Sequence, residues 1–120
     1  AQHAAAAALT AGEAYITELL AHYDEMREFL CDALTRCGLR VFRPAGTYFI
    51  MADHSALGRG SDVDFCRFLT TEVKVAAIPP SAFYADPAHG RDLVRFSFCK
   101  QRSTLEEAVR RLEQGLGSHA

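Results

Sequence analysis

Leu93-Val94-Arg95-Phe96-Ser97-Phe98-Cys99, residues 93–99, alternates strictly at a period of two. In a β-strand that period sends Val94, Phe96 and Phe98 to one face and Leu93, Arg95, Ser97 and Cys99 to the other. One face reads as core, and the other carries a single arginine. Downstream, Ser103 and Thr104 read as caps of a helix whose Leu105, Ala108, Val109, Leu112 and Leu116 recur at spacings of three and four, with Gly115 and Gly117 where it ends. Upstream, VAAI at 75–78 reads as a short buried strand stopped by Pro79-Pro80. The connection over 79–92, with a second turn at Asp86-Pro87, is about as long as a structureless loop in a compact domain becomes, which hints at function.

Further back lie two β-rich runs, LRVF at 39–42 and TYFIMAD at 47–53, joined by Arg43-Pro44-Ala45-Gly46, a hairpin turn in composition. After the polar loop HSALGRG, Ser61-Asp62-Val63-Asp64 begins a helix with an S-x-x-D capping box over Phe65, Cys66, Leu69 and Val73. Thr10 and Glu13 spell another capping box. From there Ile16, Leu19, Leu20, Tyr23, Met26, Leu30, Ala33, Leu34 and Cys37 keep helical spacing up to Gly38, a left-handed cap. A helix of that span is about 38 Å long, as long as the diameter of about 35 Å expected for a compact domain of this size. Its N-terminal half therefore expects a partner surface, although a coiled-coil dimer also accounts for the length. Before it, Ala4–Ala8 form a helix with no polar face and little apolar grip. The element order is α-α-β-β-α-β-β-α, an α/β (α+β) arrangement with a small mixed sheet covered by helices. The crossover from 47–53 through a helix to 75–78 favours at least one parallel pair.

Composition removes whole classes of function. Thirteen Lys and Arg against fifteen Asp and Glu leave a formal charge of -2 in 120 residues, without the basic surplus of a nucleic-acid binder. No run reaches the length of a membrane span, and the alanine-rich start lacks the basic flank of a signal peptide. The chain does not begin with Met, so it is expected to start inside a longer product or after processing. Cys31, Cys37, Cys66 and Cys99 are scattered, with no CxxC pair, and read as reduced core thiols of a cytoplasmic protein rather than metal ligands or disulfides. His3, His22, His54, His89 and His119 are isolated, and there is no P-loop, dinucleotide fingerprint or H-E-x-x-H.

Arg95 is the exception. An arginine in mid-strand is costly to bury unless paired. Three readings stand open: an internal salt bridge with a carboxylate such as Asp92, an outward-facing edge residue, or a planar fork presented to an anion such as a substrate carboxylate.

Pro44-Ala45-Gly46-Thr47-Tyr48-Phe49 resembles the P-x-G-[GT]-Y-F segment of class I pyridoxal-phosphate aminotransferases. Ala77-Ile78-Pro79-Pro80-Ser81-Ala82-Phe83 is similar to their A-I-P-x-S-x-F segment. Val94-Arg95-Phe96-Ser97-Phe98-Cys99-Lys100, with Thr104-Leu105-Glu106-Glu107-Ala108 beyond it, resembles their closing V-R-F-x-F-x-K…T-L-x-x-A segment. The three stand in order across the chain, in the flavour of the kynurenine, glutamine-phenylpyruvate and succinyldiaminopimelate aminotransferases.

The resemblance implies roles. It makes the chain a C-terminal small domain, with residues 1–12 a remnant of the large domain and interdomain segment, 13–38 a long connecting helix and 39–120 the small αβ domain. Arg95 stands where the family clamps the substrate α-carboxylate, Gly46 and Thr47 near the substrate mouth, and the loop from Ile78 to Phe83 over the site. No catalytic, cofactor-binding or metal-binding residue is assigned. Neither Lys74 nor Lys100 has the setting of the family's cofactor lysine, so pyridoxal phosphate is expected in the full-length parent and not on this fragment. The parent is expected to be a homodimeric, cytoplasmic enzyme exchanging an amino group between an amino acid and a 2-oxo acid. Its large cofactor-binding domain would be this chain's partner, and the chain alone is expected to be inactive. The competing reading is a stand-alone small α/β module that binds a carboxylated ligand or a partner protein. It requires Arg95 in a pocket closed by the chain's own residues and the alanine helix packed on its own sheet.

Overall fold

A computed structural model describes residues 1–117; His119 lies outside the described residues. The chain opens with helix α1 (Gln2–Thr10), in which no residue is buried. Helix α2 (Ala14–Arg36) follows a turn at Gly12, whose φ of 86° is left-handed. The expected Thr10–Glu13 capping box does not form. Thr10 sits in the last turn of α1, and its hydroxyl donates to the carbonyls of Ala6 (2.8 Å) and Ala7 (3.3 Å). Glu13 caps α2 without a side-chain bond. A threonine one turn inside a helix back-bonds to that helix and is lost as a cap for the next.

Helix α2 divides into two halves. Met26, Leu30, Cys31, Ala33 and Leu34 are buried, whereas Ile16 and Leu20 remain 54% and 58% exposed. Its end is the predicted left-handed cap. Gly38 has φ 91°, its N–H donates to Thr35 O at 3.0 Å, and Leu39 N–H donates to Leu34 O at 3.2 Å. Those two bonds are the Schellman pattern, and the buried Leu34 and Leu39 supply its apolar contact.

Strands β1 (Arg40–Phe42) and β2 (Phe49–Asp53) form the expected antiparallel hairpin, with Val41 opposite Ala52. Helix α3 (Asp62–Phe68) begins with the Ser61–Asp64 capping box in both directions and continues as a π-helical turn, Leu69–Val73. Phe65, Cys66, Leu69 and Val73 are all buried, as the spacing requires. Lys74 then turns left-handed at φ 65°, and its carbonyl accepts from Arg111 at 2.9 Å.

Strand β3 (Leu93–Ser97) pairs antiparallel with β2, placing Met51 opposite Arg95, and Val94, Phe96 and Phe98 are buried as the alternation demands. The sheet among the described residues has three strands in the order β1-β2-β3, antiparallel throughout. Residues 75–78 are not a fourth strand and make no parallel pair. They reach the sheet through one antiparallel bridge, Ile78 to Arg95. The crossover does return parallel to β2, but β3 occupies the place between them, and Pro79 and Pro80 end the ladder after a single rung.

Helix α4 (Arg102–Leu116) closes the fold. Gln101, rather than Ser103 or Thr104, precedes it as the cap, with no side-chain bond. Gly115 lies inside the helix, where a Cβ would stand 2.6 Å from Val73 Cγ2, and Gly117 is the left-handed residue beyond it. Helices α2, α3 and α4 cover one face of the sheet around Met26, Leu34, Ile50, Phe65, Leu69, Phe98 and Leu112. This is a small α+β domain with an antiparallel sheet flanked by helices. The opposite face of β3 remains open, and it carries Arg95.

Candidate functional site

The open face is built from three chain segments. The first is β3, which holds Arg95 half-buried on a rigid element. The second is the connection 43–48 into β2. Arg43 anchors its start to α2, bonding Asp32 at 2.7 Å and pairing with Glu28. At its end, Tyr48 O accepts from Phe98 N–H at 2.9 Å, which extends the pairing of β3 past the first residue of β2.

Between those anchors Thr47 adopts φ 66°. A β-branched residue in the left-handed region is an outlier costing about 1–2 kcal/mol. Strain of this kind persists only where its surroundings over-determine it. Gly46 beside it faces open space and has no left-handed φ, so nothing in the structure demands glycine there.

The third segment, 79–92, is folded rather than structureless. It contains two 3₁₀ turns, Pro80–Phe83 and Pro87–Gly90, the second capped by Asp86 accepting from Ala88 N–H at 3.0 Å. Three buried contacts fix it. Asp62, 2% exposed in the first turn of α3, accepts from Ser81 N–H at 2.8 Å. Gly90 packs so closely that a Cβ would lie 2.6 Å from Ser81 N. Buried His54 stacks on Phe65 at 4.5 Å and donates from Nε2 to Arg91 O at 3.2 Å, leaving its Nδ1 without a partner. Asp62 read in sequence only as an acid favouring a helix start. Its grip on Ser81 spans nineteen residues and carries no local signal.

These segments converge on the Arg95 guanidinium. It lies 3.9 Å from the Phe49 ring centroid, 5.7 Å from that of Tyr48 and 5.9 Å from that of Phe83. Nη2 donates to Tyr48 Oη at 3.2 Å. No carboxylate lies within salt-bridge distance of Arg95 among the described residues, and Asp92 instead offers its backbone carbonyl to His54 N–H at 2.9 Å. The internal ion pair is therefore absent. Aromatic faces hold the cation, and they stabilise it without using up its planar donors. Such a fork on a strand suits a carboxylate taken in a bidentate pair. The rim is apolar: Tyr48 is 47% and Phe83 68% exposed, with Ile78 and Tyr84 also exposed. An exposed aromatic rim around one cation fits a ligand with a carboxylate head and an apolar body.

Gly46 and Thr47 lie in the same connection as Tyr48, but neither bonds Arg95. The sequence motif assigns Tyr48 no role, yet its hydroxyl does so; its signal is its place directly before the strand partner of Ser97, Phe49.

Other chemistry is sparse. All four cysteines are free, and burial pushes the Cys66 thiol up to about 12, which leaves it inert as a nucleophile. The described residues hold no cluster of three metal-ligating side chains. Lys74 and Lys100 both border a different cavity, of about 530 Å³, between α4 and residues 74–76.

The family model for aminotransferase class I and II matches residues 1–112. The chain is 42% identical over 120 residues to a probable N-succinyldiaminopimelate aminotransferase of Mycobacterium tuberculosis, an alignment covering 92% of this chain and 30% of that protein. It is 45% identical over 92 residues to methionine aminotransferase of Escherichia coli, covering 77% of this chain and 24% of the relative. The solved structure of N-succinyldiaminopimelate aminotransferase from M. tuberculosis superposes with a TM-score of 0.82 at 41% identity, over 93% of this chain and 29% of that one. The chain thus spans less than a third of the relatives it matches, and the match falls in their C-terminal portion. Pyridoxal phosphate is the cofactor of that family. On the match, the superposition and the three ordered motifs, the chain belongs to the class I and II aminotransferases.

Proposed function

We propose that this chain is the C-terminal small domain of a pyridoxal-phosphate aminotransferase and that Arg95 binds the α-carboxylate of the amino acid and 2-oxo acid substrates. The observation that carries this reading is the unpaired guanidinium on β3, boxed by Tyr48, Phe49 and Phe83 and open to ligand. Residues 1–12 belong to the passage from a large domain, 13–38 to the connecting helix, and the rest to the small domain. The full exposure of α1 and of Ile16 and Leu20 supports a large-domain surface that covers them, and it disfavours a stand-alone module whose alanine helix packs on its own sheet. The large domain supplies the cofactor site, and the parent enzyme works as a homodimer in the cytoplasm.

In this assignment the chain's own residues bind and orient. Arg95 holds the carboxylate in a plane fixed by β3, so the substrate's Cα has one orientation. Gly46 and Thr47 form the mouth beside it, and the pinned loop through Phe83 excludes water from one side. Bond breaking belongs to the cofactor in the large domain, and the isolated chain does not turn over.

Arg95→Lys in the full-length enzyme tests this. Replacing a two-bond fork by a point charge is expected to lower kcat/KM by about 100-fold, about 3 kcal/mol, while thermal stability changes little. An unchanged kcat/KM sinks the assignment. Titration of the isolated chain with pyridoxal phosphate, followed by borohydride reduction, tests the other half. A one-to-one site on Lys74 or Lys100 would mean a self-contained cofactor module.

A further inference from the structure

Arg95 is not alone in facing the ligand. The Tyr48 hydroxyl accepts a hydrogen bond from Arg95 Nη2 at 3.2 Å, and among the described residues no acceptor lies opposite its own proton. Its ring is edge-on to Phe49 at 5.5 Å, and its backbone carbonyl is tied to Phe98 N–H, so ring and hydroxyl are held from both ends. The residue before it is Thr47, in a left-handed conformation that a β-branched side chain disfavours. Strain directly before a side chain that reaches the Arg95 guanidinium is what a pre-aimed group looks like. With its lone pair occupied by a guanidinium N–H, the phenol is polarised toward donating.

We propose that Tyr48 is a second substrate-binding residue, whose hydroxyl donates to the same carboxylate that Arg95 holds, with the left-handed Thr47 aiming it. The carboxylate then receives three bonds, two from the fork and one from the phenol. The inference rests on the reading of Arg95 as the carboxylate site. The group bound is a carboxylate, its head flanked by the Phe49 and Phe83 rings.

The test uses the full-length holoenzyme and two probes that lack an amino group, 3-phenylpropanoate and 3-phenylpropanamide, titrated by calorimetry. The unaltered protein is expected to prefer the carboxylate over its amide. Tyr48→Phe keeps the ring and removes only the hydroxyl, so unfolding temperature should not move. It is expected to weaken 3-phenylpropanoate about five- to twentyfold and to leave the amide unchanged, a loss of one hydrogen bond to a charged group at a half-exposed site. Arg95→Lys should remove most of the preference. If Arg95→Lys does so and Tyr48→Phe binds the carboxylate as tightly as the unaltered protein, Tyr48 is not a ligand group and the Arg95 reading survives. If the unaltered protein shows no preference, or Arg95→Lys leaves it intact, both readings fall. A Tyr48→Phe loss that is equal for carboxylate and amide is packing alone and also overturns the proposal.

Discussion

Thr47 and Gly90 show how one position can be set by backbone conformation and another by contact. Thr47 stands at φ 66°, so glycine there should relieve about 1–2 kcal/mol of strain against an entropic cost of about 0.5–1 kcal/mol. Thr47→Gly is therefore expected to raise the midpoint of urea unfolding slightly, a net gain of about 0.5–1 kcal/mol; a loss would mean that its side chain makes a contact offsetting the strain. Gly90 has no left-handed φ and is required for space, since a Cβ would meet the Ser81 backbone at 2.6 Å. Backbone yields less than a side-chain tip, so Gly90→Ala should destabilise by about 2–3 kcal/mol. It should also loosen the segment that carries Phe83. Equal urea midpoints for Gly90→Ala and the unaltered chain would show that the two 3₁₀ turns separate freely.

At the scale of elements, α2 is a helix of two halves. Residues 26–34 pack into the core, while α1 and the first turns of α2 make no buried contact of their own. Helices short of tertiary packing are marginal in water even when rich in alanine. Amide hydrogen exchange of the isolated chain should find residues 2–20 close to unprotected and residues 26–36 protected to the level of global unfolding. Uniform protection along α2 would contradict this and point to a second copy covering the exposed half.

For the whole molecule, the same half-helix sets the shape. The longest axis is 51 Å and the radius of gyration 16.5 Å, beyond the value of about 14 Å for a compact chain of this length. Acid stability is also a global property, because it sums over carboxylates. The Arg110 and Arg111 hydrogen bonds hold Glu107 down to about 2, Ser55 lowers Asp53 and the Ser61 N–H lowers Asp64. Groups depressed in the folded state bind fewer protons than in the unfolded chain. Their stabilisation is complete above the unfolded glutamate value of about 4.3 and is lost as pH falls toward the folded value. Thermal melts should therefore decline from near pH 4.3 down to pH 2, and Glu107→Gln should flatten that decline; an unchanged slope would remove Glu107 from the account.

Local rules determined much of this protein. The period-two alternation of β3, the spacing of α2, the left-handed cap at Gly38 and the Ser61–Asp64 box each depend on residues a few positions apart, and all are as read. Arg95 was legible too, as a charge in a strand where a charge needs a reason. What local rules could not decide was competition between segments. Thr10 had two sets of partners, and the nearer helix won. Residues 75–78 have strand composition, yet β3 arrives later in the chain and takes the place beside β2, leaving them one rung. The surroundings of Arg95 were decided in the same way. Tyr48, Phe49 and Phe83 come from segments 47 to 12 residues distant, and the loop is pinned by an aspartate nineteen residues from the amide it binds. Such contacts have no period and no spacing, because they exist only once the sheet has closed and the helices have set the loops against it.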